Sequence, residues 1–255
     1  MTTRRKFGMG IAAMLAAQRA PAALIRSLIA GRHIAATGTR LPYDAEVEYL
    51  ESTGTQWISI GMTFDETFKM EMDFKYDTIS TGATCHGQNG SSGSLYSRFT
   101  FGKGAASWDD WYCGLGDLNY RTNIHLDTQR HTFVVDAINK EFKIDDSTYT
   151  VNYTRFTHLQ NPYSASLFCR TTIDIGSQDP LKIIGRIFAC KIWRSGVLVR
   201  DFIPVRFTNE LGQSEGAMYD RVSGQLFRNQ GTGAFVIGPV KARGASGQNG
   251  GGISG

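Results

Sequence analysis

Between Phe68 and Asp77 the chain reads FKMEMDFKYD, and apolar and charged residues alternate without a break. Phe68, Met70, Met72, Phe74 and Tyr76 fall on one side; Lys69, Glu71, Asp73, Lys75 and Asp77 fall on the other. Successive side chains of a strand point to opposite faces. This period therefore predicts a half-buried antiparallel strand with one apolar and one charged face. HTFVVDA, EFKID, TYTVNY and RIFACKIW continue the strand pattern, and an Arg194-Ser195-Gly196 turn leads on into VLVRDFIPV. Near the end, QLFRN and AFVIG flank Gln230-Gly231-Thr232-Gly233, which reads as another hairpin. Many short strands with Gly-rich turns, and no alternation with helices, predict an all-β fold, a two-sheet antiparallel β-sandwich or jelly roll.

The stretch EYLESTGTQWISIG, 48–61, carries a second local signal. Ser52 to Thr55 predict a tight turn in which Gly54 supplies a positive φ. Tyr49-Leu50 and Trp57-Ile58 are then two short strands leaving that turn.

The ends differ from this body. Residues 1–42 are Ala- and Arg-rich, contain no acid and have a helical pattern, with Phe7, Ile11, Met14, Leu15, Ile25, Leu28 and Ile29 near helical spacing. TRRKF resembles the start of a twin-arginine export signal, and Ala20-Pro21-Ala22 fits an A-x-A cleavage site. Two readings follow, an export leader and a retained amphipathic helix. The apolar run is too short to span a bilayer, so no integral membrane span is expected. The sandwich is expected over 43–240, and 241–255 reads as a flexible Gly-rich tail.

Charge changes the picture once it is placed along the chain. The net charge is +4, but seven basic residues precede Asp44 and two more fall in the last fifteen positions. The body keeps eighteen basic residues against all twenty-three acids, a net −5. A mildly acidic body without a nucleic-acid-reading motif excludes nucleic acid as a partner. Cys85, Cys113, Cys169 and Cys190 are widely spaced, which argues against a metal cage. Cys169 and Cys190 sit in apolar runs and read as core residues, and disulfides would require export.

EVEYLESTGTQWISIG, followed by KMEMDFKY, resembles the first strands of laminin-G-like jelly-roll domains of the concanavalin-A-like lectin and glucanase superfamily. The likeness is to a bacterial and phage-associated type, whose ending resembles GRIFACKIWRSGVLVRDFIPVRF and GAMYDRVSGQLFRNQGTGAFVIG. It spans roughly 46–238, with 78–180 matching only as a strand pattern. It implies two packed sheets with one curved face available for ligands. Retaining glucanases of that superfamily carry Glu-x-Asp-x-Glu on one strand, with the first Glu as nucleophile and the last as acid/base. Here the strand reads Glu71-x-Asp73-x-Lys75, and a lysine cannot take the acid role near neutral pH. The Gly212-Gln213-Ser214-Glu215-Gly216 match to G-x-S-x-G lacks the strand-turn-helix setting of a nucleophile elbow. The five histidines show no ligand spacing. The chain reads as no enzyme, with no cofactor. Laminin-G-like domains often hold calcium, yet Asp145-Asp146 reads as a turn rather than a ligand loop.

SWDDWYCGLGDLNYR, 107–121, is the candidate binding segment. It gathers Trp108, Asp109, Asp110, Trp111, Tyr112, Asp117, Asn119 and Arg121. Aromatic faces suit the C–H side of a sugar ring, and carboxylates, amides and guanidinium suit its hydroxyls. The competing reading makes Trp111 and Tyr112 sandwich core and the acids turn residues. Two functions are expected from these features. The first is a non-catalytic module that recognises a glycan or surface polymer on an exported or displayed protein. The alternative is a structural component of a phage or prophage particle, docked on other virion proteins through the N-terminal helix.

Overall fold

The computed structural model describes residues 41–90, 96–157, 163–172, 177–178 and 182–242. The predicted N-terminal helix or leader, apart from residues 41–42, and the tail from 243 onward lie outside the described residues. The described residues form two sheets and contain no helix. The first sheet holds β1 (Ala45–Glu46), β2 (Leu50–Thr53), β4 (Phe68–Thr78), β9 (His131–Asp136), β10 (Glu141–Ile144), β11 (Ser147–Thr150), β15 (Ile184–Arg194), β16 (Val197–Thr208), β17 (Ser214–Asp220), β18 (Gln225–Phe227) and β19 (Val236–Ile237). The second holds β3 (Ile58–Ser59), β5 (Thr84–Asn89), β6 (Arg98–Lys103), β7 (Asp110–Gly116), β8 (Leu118–His125), β12 (Ser166–Leu167), β13 (Arg170–Thr172) and β14 (Ser177–Gln178). Every pairing is antiparallel except β5 with β13.

The path of the first sheet is β11-β10-β9-β4-β15-β16-β17-β18, and that of the second is β14-β13-β5-β6-β7-β8. β4 is central because its alternation satisfies two neighbours and one core at once. Phe68, Met70, Met72, Phe74 and Tyr76 are buried, while Lys69, Glu71, Asp73, Lys75 and Asp77 line the other face. On that outer face Asp73 accepts from Arg130 Nε at 2.7 Å, and Lys75 pairs with Asp77 at 3.1 Å. The inner side chains meet those of the second sheet in one continuous core. Phe133 of β9 packs on Trp111 of β7 with ring centroids 4.8 Å apart, and Tyr76 stacks on the same indole at 5.5 Å. All four cysteines are buried, and burial pushes the Cys113 and Cys190 thiols well above their ordinary range.

The turn at Ser52–Gln56 joins the two sheets, so its flanking strands do not pair with each other. β2 pairs with β15 and β19, whereas β3 pairs with β12 of the second sheet. Gly54 has the expected positive φ, 104°. Gln56, buried, ties the crossing: its Oε1 accepts from the Thr53 N–H at 2.9 Å and its Nε2 donates to the Ala234 carbonyl at 3.0 Å. That second bond corrects the expected hairpin around Gln230–Gly233. β18 pairs with β17 and β19 pairs with β2, so the loop between them spans the sheet and rests on the Ser52–Gln56 turn. Gly231 approaches so closely that a Cβ there would lie 2.0 Å from the Thr55 carbonyl oxygen.

Two other elements are shorter than the sequence suggests. Arg194 pairs with Val197, which leaves a two-residue turn of Ser195 and Gly196 at φ 50° and 79°. Positive φ at both central positions matches the twist of the strands it joins. TYTVNY is strand only to Thr150; Val151 and Tyr153 then fold into the core.

Phe74 touches Tyr76, His86 and Phe133 from both sheets, so its removal leaves a cavity at the junction. Phe74→Ala is expected to cost about 3–5 kcal/mol in urea denaturation, whereas Glu71→Gln on the opposite face should shift stability by less than about 0.5 kcal/mol. Equal effects would contradict the assignment of faces.

Candidate functional site

The segment 107–121 enters β7, turns at Asp117 and returns along β8. Period two on β7 sends Trp111, Cys113 and Leu115 into the core and turns Asp110, Tyr112 and Gly114 to the other face. Trp111 is fully buried, and its indole Nε1 has no hydrogen-bond partner among the described residues. A ligand therefore does not reach Trp111, which corrects its place among the expected binding residues. Asp117 is also apart from the others. Its Oδ1 accepts from the Thr154 N–H at 2.8 Å and the Arg155 N–H at 3.2 Å, so it fixes the connection after β11. Slight burial pushes its carboxyl up, but the bonds from Thr154 and Arg155 outweigh this and hold it below the ordinary value.

The remaining six come together. Asp110, nearly buried, accepts from Arg121 Nε at 2.9 and 3.1 Å and from the Asn123 N–H at 3.3 Å. A charge-assisted bond of this kind fixes the guanidinium in one orientation. The pairing needs a bulge: Tyr112 faces Arg121 and Asp110 faces His125, leaving Thr122 to Ile124 opposite Trp111 alone. Asn123 takes up the excess at φ 61°, a conformation asparagine tolerates. The Arg121 guanidinium lies 5.1 Å over the Trp108 ring, and its Nη2 is 3.9 Å from exposed Asp109. Asp109 in turn lies 3.4 Å from exposed His125.

Trp108 is folded back by the β6–β7 turn, where its N–H donates to the Ala105 carbonyl at 3.2 Å. It lies half-buried against Gly104, where a Cβ would come within 2.4 Å of the indole. Tyr112 lies beside it at 5.3 Å and reaches across Gly114. The Tyr112 hydroxyl donates to Asn119 Oδ1 at 2.7 Å and accepts from Thr100 at 3.4 Å. Burial pushes the Tyr112 phenol well above its ordinary value, so it remains a donor across the physiological range. Arg121 and Asn119 are exposed. The cluster thus presents a fixed guanidinium, an oriented amide and a half-open indole on one surface. Thr100 and the anchoring role of Asp110 were not signalled by the segment's composition, because both follow from cross-strand register.

Beyond β8, His131 is clasped between two acids. Its Nδ1 lies 2.6 Å from Asp145 Oδ2 and its Nε2 2.8 Å from Asp127 Oδ1, with the ring edge on Trp111. Partial burial pulls the imidazole pKa down, but the hydrogen bonds and charges of Asp145 and Asp127 outweigh it and raise the value. His86 is the opposite case. Fully buried among Phe74, Phe101 and Phe168, it is pushed down to about 3 by desolvation and stays neutral. Among the described residues no three His, Cys, Asp or Glu side chains are grouped to hold a metal ion, and no helix is long and apolar enough to cross a membrane. No protein-family model, curated protein or solved structure matches the chain.

The histidines set a pH dependence with opposite signs. A raised folded pKa makes the His131 clasp fully stabilising below the unfolded value of about 6.5, and that contribution fades as pH rises through the folded value. Wild type minus His131→Gln should therefore lose stability upward from about pH 6.5 in denaturant titrations. The difference between wild type and His86→Phe should instead fall as pH drops from about 6.5 towards 3. A flat difference for either variant would contradict its assignment.

Proposed function

We propose that the chain is a non-catalytic recognition module that binds a glycan or surface polymer through Trp108, Asp109, Tyr112, Asn119 and Arg121. The carrying observation is the Arg121 guanidinium, exposed at its outer edge yet anchored on Asp110 at 2.9 Å and stacked over Trp108. A donor held rigidly beside an amide and an aromatic surface suits ligands rich in hydroxyls, since little side-chain freedom is lost on binding. The sandwich is read as a laminin-G-like jelly roll, and the export-like start as that of an exported or displayed protein. The glucanase-like positions support binding without turnover. Asp73 is engaged by Arg130, and Lys75, where an acid would be needed, pairs with Asp77.

A shallow surface with few stacking contacts should hold a glycan in the micromolar to millimolar range. On a polysaccharide array, Arg121→Ala and Trp108→Ala should each weaken the bound glycan at least about tenfold, a loss near 1.4 kcal/mol. Asp117→Asn should leave binding unchanged while lowering the melting temperature. Binding indifferent to both Arg121 and Trp108, or sugar release by wild type that Glu71→Gln abolishes, would overturn the proposal.

A further inference from the structure

The first sheet ends on β11, and the far side of that strand is open. β11 pairs with β10 alone, in one unbroken register from Ile144 opposite Ser147 to Glu141 opposite Thr150. Two bonds fix which backbone groups this pairing uses. The Val151 N–H donates to the Lys140 carbonyl at 2.7 Å, and on the other side of β10 the Asp145 N–H donates to the Thr132 carbonyl at 2.8 Å. Alternation from Val151 directs the backbone of Ser147 and Tyr149 towards β10 and that of Thr148 and Thr150 away from it. Among the described residues, no hydrogen bond reaches the outward N–H and carbonyl groups of Thr148 and Thr150. Ser147, Thr148 and Thr150 are exposed.

The strand carries none of the usual defences of an edge. Ser147-Thr148-Tyr149-Thr150 has no charge, proline or bulge, and its Thr-Tyr-Thr run favours an extended chain. The neighbouring edge of the second sheet differs, since β8 is bulged at Asn123 and carries Arg121. Tyr149 turns inward, half-buried against Phe142 and Tyr120 with ring centroids 6.4 and 5.9 Å away. Period two therefore sets Thr148 and Thr150 together on the outer face, opposite Lys143 and Glu141 of β10.

We propose that β11 pairs with β11 of a second copy of this chain, antiparallel about a two-fold axis beside Tyr149. The edge is complementary to itself. Its outward groups stand one residue either side of Tyr149, so Thr148 of each copy exchanges both its backbone bonds with Thr150 of the other. The same register sets threonine opposite threonine, a favourable cross-strand pair. Charge agrees with it. Asp146 lies at the turn end of β11, while Lys140 and Arg155 lie at the other end. Antiparallel pairing brings the acidic end of one copy to the basic end of the other. These features select a second copy over an unrelated strand, which need match neither the spacing nor the charge. The contact is short, so the dimer is weak, in the micromolar to millimolar range. An axis perpendicular to the sheet keeps the Trp108–Arg121 surfaces of both copies on the same side, as bivalent attachment to a polymer requires. That consequence rests on the recognition proposal, whereas the pairing of the edges does not.

Sedimentation velocity of the full chain tests this, together with amide hydrogen exchange. From micromolar to millimolar concentration the mass should rise towards a dimer, and the Thr148 and Thr150 amides should gain protection in step. Two double variants decide the register. Thr148→Glu with Thr150→Lys places opposite charges across the axis, and also beside Lys143 and Glu141 within each copy, and should tighten the dimer several-fold. Thr148→Lys with Thr150→Lys sets like charges opposite one another and should weaken it about tenfold. Neither should move the melting temperature much, because both positions are exposed. A dimer that responds to neither variant, or a chain that stays monomeric at millimolar concentration, would overturn the proposal. Protection of the same amides by a capped valine–threonine peptide in such a monomer would give the edge to a foreign strand instead. If the double-lysine variant misfolds, the glutamate–lysine variant still decides.

Discussion

Aromatic rings from two sheets interleave at the centre of this molecule, and the remaining geometry follows from that contact. Phe74, Tyr76 and Phe133 come from the first sheet, and His86, Phe101 and Trp111 from the second, with neighbouring centroids between 4.5 and 6.1 Å. Rings at these separations pack tilted or stacked and tolerate little change in position. Each strand that contributes a ring therefore has its register fixed, because a slip of one residue would turn the ring outward and bring a charge or glycine inward. The Tyr76 hydroxyl adds a polar tie to the second sheet, accepting from the Lys103 N–H at 3.0 Å and donating to the Thr84 carbonyl.

The candidate site is a consequence of this constraint on β7. Once Trp111 is committed to the core, Asp110 and Tyr112 must face the other way. The bulge at Asn123 then brings Arg121 back to meet Asp110 despite the twist of the hairpin. The rigidity of the exposed guanidinium is thus borrowed from a buried carboxylate and, through it, from the core. A similar dependence holds at the far end of the first sheet. The Ser52–Gln56 turn passes between the sheets, the Asn229–Phe235 loop rests on it, and a cleft beside β17 is the space left between loop and strand edge.

Alternation made β4 legible in the sequence, face by face, because its charged and apolar residues never exchange sides over ten positions. The same signal was silent in β7, whose seven residues are all buried, and composition alone cannot say which of two neighbouring tryptophans faces a core. Trp111 and Asp117 were grouped with the binding residues for that reason, although one is core and the other caps a connection. The loop at Gln230–Gly233 looked like a hairpin because glycine-rich turns between short apolar runs usually are. Its true partner, the turn at Ser52–Gln56, lies far away in sequence, and no local pattern encodes that contact. Thr100, and the anchoring role of Asp110, were hidden likewise, since both depend on which residue stands across the strand.

The division of Trp108 and Trp111 between surface and core is the claim on which both the fold and the proposed recognition surface rest. Fluorine NMR of the chain labelled with 5-fluorotryptophan measures it directly, using a soluble gadolinium chelate as a contact probe. Four resonances are expected, assigned by single Trp→Phe variants. The signals of Trp57, Trp108 and Trp193, all half-exposed, should broaden as the chelate is added, while that of Trp111, fully buried, should stay sharp. A broadened Trp111 resonance together with a protected Trp108 would contradict the account.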